Sequence, residues 1–313
     1  MSDTVKGVLA AVLSALALST MGIFGKLLYL HDVDPLNVVT LRAIIAFFAL
    51  GMVLVLIRRR LPAIRRQHVA LFVFLGLVGI ALNYAGFFQS LKYTTVATAI
   101  SILYTYPAFV ILGAILFLGE PVTGKKVISL VLCFGGCLLV IQIFSPDALK
   151  LNFWGIFFGF VASITKAVYT IVGKRALSSY DPWTVSFFAF GVGGLFLLAY
   201  TASAGLLDVS LPAEAWGYVI CIALLPTLVG YSLFVLALKF LEAGQASIVA
   251  TLEPVAAIVL SAMIIGEIIT PLQSAGVAMV IAGIVLSQLN FRNVGGRRQR
   301  LDGADSQERS RKG

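Results

Sequence analysis

Glu253 stands eight residues inside Gln245 to Gly266, an apolar run long enough to cross a bilayer, and directly before Pro254. At 1.5 Å per helical residue that is roughly 12 Å deep, too far for so short a side chain to reach water. The acid must therefore meet a buried partner, a water-filled cavity or a transported solute, and a structural pair is the bland alternative. Pro254 removes a backbone donor and crowds the preceding turn, which marks it, with Pro107 at the equivalent place earlier in the chain, as a candidate hinge. Lys166, inside the sixth apolar run, falls about seven residues, roughly 10 Å, from the same membrane face as Glu253. A lysine and a glutamate at one depth in hydrocarbon are expected to pair, because each alone is costly. Such a pair could be a gate broken and remade during transport, or could receive the ammonium and carboxylate of a zwitterion. Snorkelling of the long lysine stem is the competing reading. Arg42 lies about six residues, roughly 9 Å, below the opposite face, where snorkelling is the expected behaviour and a place on an anionic solute's path the alternative. Tyr84, Tyr231, Tyr104 and Tyr106, with Asn83 beside the first, lie midway along apolar runs. Buried tyrosines need a hydroxyl partner, so they line either cavities or helix contacts, and aromatic walls around one carboxylate suit an amine.

Other chemistry finds little support. The two histidines, His31 and His68, lie between apolar runs, and no nucleophile with a base or paired aspartates occurs inside them, so an intramembrane enzyme is disfavoured. Gly119 to Lys126 fits the opening of a phosphate-binding loop but has Lys126 where a metal-binding Ser or Thr is required, and it follows an apolar helix instead of a strand. Cys133, Cys137 and Cys221 sit within apolar runs without metal or disulfide spacing. No metal or cofactor is expected. The net charge of +9 would suggest nucleic acid in a soluble protein, but the basic residues lie between apolar runs and in the tail, where they report topology.

The elements that must position these residues are membrane spans. With 60% hydrophobic and 12% charged residues and a mean hydropathy of +1.01, the chain is far from soluble composition. Ten runs of about 20 residues follow one another: Gly7 to Leu30, Leu36 to Ile57, Val69 to Leu91, Ala97 to Leu118, Val127 to Phe144, Phe153 to Val172, Trp183 to Ala202, Ala215 to Leu238, Gln245 to Gly266 and Leu272 to Leu289. Asp34-Pro35, Pro62, Gly119-Glu120-Pro121, Ser145-Pro146, Asp181-Pro182 and Pro271 separate them. If the N-terminus is inside, 18 Lys and Arg fall in inner segments and three in outer ones. That bias puts both termini in the cytoplasm of a multi-pass inner, or plasma, membrane protein.

A shift of 147 residues superposes Asp34-Pro35 on Asp181-Pro182, Tyr84 on Tyr231, Pro107 on Pro254, Gly119-Glu120 on Gly266-Glu267 and Gly136 on Gly283. Two homologous five-helix units follow, residues 1–146 and 147–291, with a basic tail over 292–313. Because five is odd, the second unit enters the membrane from the opposite side, an inverted repeat suited to alternating access. Glu120 and Glu267 recur in both halves at helix ends and read as structural caps. Glu253 replaces Tyr106, Lys166 replaces Leu18 at a shift of 148 that suits the first helix of each unit, and Arg42 has Ala189 as its counterpart, so these three charges break the repeat.

The ordered set of ten spans, mid-helix prolines and closing Gly-Glu pairs, occurring twice between Gly7 and Leu289, resembles the EamA-type branch of the drug/metabolite transporter superfamily. The resemblance implies an all-α basket of ten transmembrane helices in two inverted repeats around a central cavity, moving amino acids, nucleotide-like metabolites, drugs or other small organic solutes, often outward. The resulting expectation is a secondary transporter, a monomer or weak homodimer, that exports an amino acid or amine-bearing metabolite. Its substrate-binding candidates are Glu253, Lys166, Tyr84, Tyr231, Tyr106, Asn83 and Arg42, with Glu253 also a candidate proton carrier. Uptake, drug transport and flipping of a lipid or prenyl carrier are the alternatives.

Overall fold

Aspartate followed by proline starts a helix at the same place in each half. Asp34 Oδ1 accepts from the backbone N–H of Leu36 (2.8 Å) and Asn37 (3.2 Å), and Asp181 Oδ1 accepts from Trp183 (3.1 Å) and Thr184 (3.3 Å). Each proline fills a helical position whose N–H would have no partner in any case. In this computed structural model, which describes residues 2–29, 31, 33–59, 61–144, 152–265 and 268–288, the helices are α1 (Asp3–Tyr29), α2 (Pro35–Arg58), α3 (Arg66–Tyr93), α4 (Val96–Leu118), α5 (Gly124–Val140), α6 (Phe153–Ala176), α7 (Pro182–Ser203), α8 (Ala213–Phe240), α9 (Ala243–Ile264) and α10 (Pro271–Gln288). Among the described residues nine of these are long and apolar enough to cross a membrane, and α5, at 17 residues, falls one short of the shortest of them. The tail 292–313, Ser145-Pro146 and Gly266-Glu267 lie outside the described residues.

Apolar side chains on the outside of the bundle explain why it needs a bilayer. Phe48, Met52 and Leu56 follow one another at four-residue spacing on α2 and are all more than 60% exposed. Such a stripe faces no protein and is stable only against hydrocarbon.

Packing follows a pseudo-twofold axis. Helices α5 and α2 pack against their own images α10 and α7, while the α3–α6 contact is matched by α8–α1 and the α4–α6 contact by α9–α1. The α5–α10 crossing shows the reciprocity atom by atom. A Cβ on Gly136 would lie 2.7 Å from Gly276 O, and one on Gly283 would lie 2.9 Å from Ser129 O. Gly283 and Gly276 are the 147-shift images of Gly136 and Ser129, so one contact is the other rotated. Only glycine lets backbones approach so closely, and the contacts run in antiparallel order, as inversion requires. Cys133 and its image Val280 meet on the axis, with the Cys133 thiol donating to Val280 O at 3.6 Å. Gly155 and Gly159, spaced four apart on α6, bring that helix close to Thr94 and Ile102.

Two irregularities also repeat. Helix α3 widens to a π turn over Leu77–Leu82, and α8 over Ala223–Tyr231. Pro226 accounts for the second, since it cannot donate into the ladder, and the freed Ile222 carbonyl accepts from Thr227 Oγ1 at 2.8 Å. At the image position, Gly79 admits Tyr169, whose Cβ would be 2.9 Å from an added methyl. Helix α4 breaks between Val96–Leu103 and Tyr106–Leu118, and α9 breaks at Thr251 between Ala243–Ala250 and Leu252–Ile265. Pro107 and Pro254 each open the second piece.

Candidate solute-binding site

The breaks in α4 and α9 bring Tyr106 and Glu253, which are images of each other, to one lysine. Lys166 Nζ lies 3.8 Å from Glu253 Oε2 and 4.5 Å from the centroid of the Tyr106 ring, with Tyr104 at 5.5 Å on the same side. Lys166 therefore points inward from α6 and does not snorkel. Both charged side chains keep about a fifth of their surface accessible, whereas Tyr104 and Tyr106 are buried. The Tyr106 hydroxyl donates to Ser247 O at 3.2 Å, tying α4 to the first piece of α9. A carboxylate, an ammonium and two aromatic faces at mid-bundle can hold a polar organic cation or zwitterion once the internal pair opens.

A second group surrounds Arg42. Its guanidinium carbon lies 4.2 Å over the Tyr84 ring, and Nη1 donates to Thr227 Oγ1 (3.1 Å) and towards Met21 Sδ (3.6 Å). Tyr231 contacts Tyr84 and Tyr169 edge-on, with centroids 6.3 and 6.0 Å apart. The expectation that Arg42 snorkels is corrected, because the residue is only 3% exposed. Depth alone favoured snorkelling; the Tyr84 face and the Thr227 hydroxyl reward the inward rotamer more. Arg42 lies beside a cavity of about 90 Å³ at the end of the bundle away from Asp3, here called the distal end. Lys166 and Glu253 do not line it. Asn83 joins neither group, since Nδ2 donates to Ala162 O (2.6 Å) and Thr165 Oγ1 (3.4 Å) and so links α3 to α6.

The opposite, proximal end carries a cluster whose connections the sequence did not reveal. Glu120 is a structural cap, and the helix it caps is in the other repeat: its carboxylate accepts from Ala243 N (2.6 Å) and Gly244 N (3.2 Å), starting α9. Lys126 Nζ sits 2.5 Å from Glu242 and 3.9 Å from Glu120. Lys174 Nζ donates to the carbonyls of Leu238 (2.6 Å) and Leu241 (2.7 Å), closing the end of α8. A cap 123 residues away has no local sequence signal. The image glutamate, Glu267, lies outside the described residues.

Inverted five-helix units with a polar centre and a cavity at one end define a helical membrane transporter. The chain belongs to the EamA-like transporter family, whose model matches residues 5–142 and again 153–289. Similar proteins include an "Uncharacterized transporter" of Archaeoglobus fulgidus, 31% identical over 90% of this chain and 96% of its own length. Another is a "Probable terminal-alkyne amino-acid exporter" of Streptantibioticus cattleyicolor, 26% identical over 64% of this chain and 66% of its own. A solved crystal structure superposes with a TM-score of 0.75 over 92% of this chain and 98% of its own at 16% identity, which shows the shared fold.

Proposed function

We propose that the protein exports a small amine-bearing solute, an amino acid in the first place, by alternating access, and that Glu253 is the anionic contact for the ammonium. The observation that carries this reading is the Lys166–Glu253 pair at 3.8 Å. It lies at mid-bundle, is absent from the first repeat's image positions, and is walled by Tyr104 and Tyr106. An incoming ammonium replaces Lys166 at the carboxylate, and the displaced lysine retains the faces of both tyrosines. A proton can serve in place of the ammonium on the return step, which makes Glu253 the point of coupling to a proton gradient. Two bundles, α3, α4 and α6 against α8, α9 and α1, rock about the α5–α10 crossing, with Pro107 and Pro254 as hinges. The excess of Lys and Arg in the segments that precede α1 and follow every second span supports a cytoplasmic proximal end, with both termini in the cytoplasm of a plasma-membrane protein. The exporter named in Streptantibioticus cattleyicolor supports amino acids as the first solutes to try.

The test is counterflow of labelled amino acids in proteoliposomes, with and without a pH gradient. Glu253→Gln is expected to lower flux about tenfold or more, equivalent to about 1.4 kcal/mol, and to remove its dependence on pH. Wild-type flux and pH response in that variant would remove Glu253 from the mechanism.

A further inference from the structure

Arg42 is buried at the distal cavity, yet nothing described around it neutralises its charge. The remaining lining is apolar and includes Met21, Leu28, Val38, Phe88 and Ile222. Among the described residues no carboxylate comes within 4.0 Å of the guanidinium. Its contacts orient it without compensating it. The plane lies over Tyr84, and Nη1 donates to Thr227, whose own proton is committed to Ile222 O. The hydrogen bonds it makes to described residues come from Nη1 alone, so Nη2 and Nε are available for the two-pronged bond that guanidinium makes with carboxylate. Tyr84 and Tyr169, both packed on Tyr231, hold buried hydroxyls with no hydrogen-bond partner among the described residues. A fixed, desolvated cation stacked on the Tyr84 ring, at an apolar opening, is arranged for an anion with a hydrocarbon tail.

We infer that Arg42 is a carboxylate station at the distal end, receiving the acid group of a short apolar solute whose chain lies in the cavity. This rests on the reading of the protein as a carrier of small organic solutes, and it narrows that class to apolar amino acids. The two stations act at different steps, Arg42 receiving the solute's carboxylate at the distal end and Glu253 its ammonium in the middle of the bundle.

Three probes separate the two sites: valine, isovalerate (valine without its amine) and isobutylamine (valine without its carboxylate). Their binding to the purified full chain is measured by calorimetry for wild type, Arg42→Gln, Glu253→Gln and Gly25→Phe. Gly25 lines the cavity and a Cβ there meets nothing within 4 Å among the described residues, so the phenylalanine starts in open space beside the cavity. Arg42→Gln and Gly25→Phe are expected to weaken valine and isovalerate about tenfold or more and to leave isobutylamine within about twofold. Glu253→Gln is expected to weaken isobutylamine and leave isovalerate unchanged. Wild-type affinity for both carboxylates in Gly25→Phe, or in a folded Arg42→Gln, overturns the carboxylate station, as does a wild-type protein that binds neither. Loss of carboxylates at Arg42 with no amine effect at Glu253 would leave the station standing and overturn the amine reading instead.

Discussion

The half-helices Ala243–Ala250 and Val96–Leu103 are images of each other, yet all eight residues of the first are buried and only Thr98, Ala99 and Ser101 of the second are. Ala243–Ala250 packs on Tyr106–Leu118, α5 and α10. Among the described residues Val96–Leu103 makes no comparable packing on Leu252–Ile265, α10 or α5. One fold, written twice, is thus closed at the proximal end and open at the distal end. The positions that hold the proximal end explain the difference. Lys126 and Glu242 form an ion pair there, and their images in the other half are Gln273 and Thr95, which carry no charge. Pseudo-symmetry supplies two states of similar shape, and a few unmatched side chains decide which is more populated.

Three substitutions can break or sharpen that contrast. The largest effect is expected from Glu120→Ala, which leaves the N–H groups of Ala243 and Gly244 without their acceptor and Lys126 with one carboxylate fewer. Loss of a buried cap and part of an ion-pair cluster should cost about 3 kcal/mol. It should show as a lower melting temperature in detergent and as proximal labelling of cysteines placed in Ala243–Ala250. A wild-type melting curve would mean that the cap does not hold this end closed. A smaller effect is expected from Thr95→Glu combined with Gln273→Lys, which writes the proximal pair into the distal end. About 1 kcal/mol of preference for the distally closed state should follow, a shift of about fivefold. The readout is slower labelling of a cysteine at Gly25, in a protein where the exposed Cys221 has been replaced by serine. Unchanged labelling would show that charge at these positions does not select the state. The smallest effect is expected from Tyr84→Phe. Its hydroxyl has no hydrogen-bond partner among the described residues, so stability of the solute-free protein should change by less than about 0.5 kcal/mol. A loss much above that would reveal a hydrogen bond made by the empty site.

Much of the architecture was legible because hydrocarbon leaves the chain few options. A run of about 20 apolar residues must be helical there, and Asp-Pro pairs start helices for local reasons. The proximity of Lys166 and Glu253 was legible for a related reason: two charges at one depth, each costly alone, drive each other together. Arg42 was harder, because depth along α2 says nothing about which face it occupies, and that face carries Tyr84 and Thr227. The service of Glu120 to the other repeat was hidden by sequence distance. The π turn of α3 was also out of reach, since Gly79 reads as an ordinary small residue until Tyr169 is seen against it.

Those widened turns bear on how the protein tolerates insertion and deletion. An α-helix advances about 100° per residue and a π turn holds one residue more than an α turn, so removing one residue from Leu77–Leu82 as the turn relaxes to α would leave the rest of α3 facing as before, whereas relaxation at full length would swing it by about that angle. Tyr84 would leave Arg42, Asn83 would leave α6, and Ser90, bonded to Gly155 O, would turn toward lipid. In α3 and α8 the reading frame of the helix surface, more than its length, is what the π turns preserve.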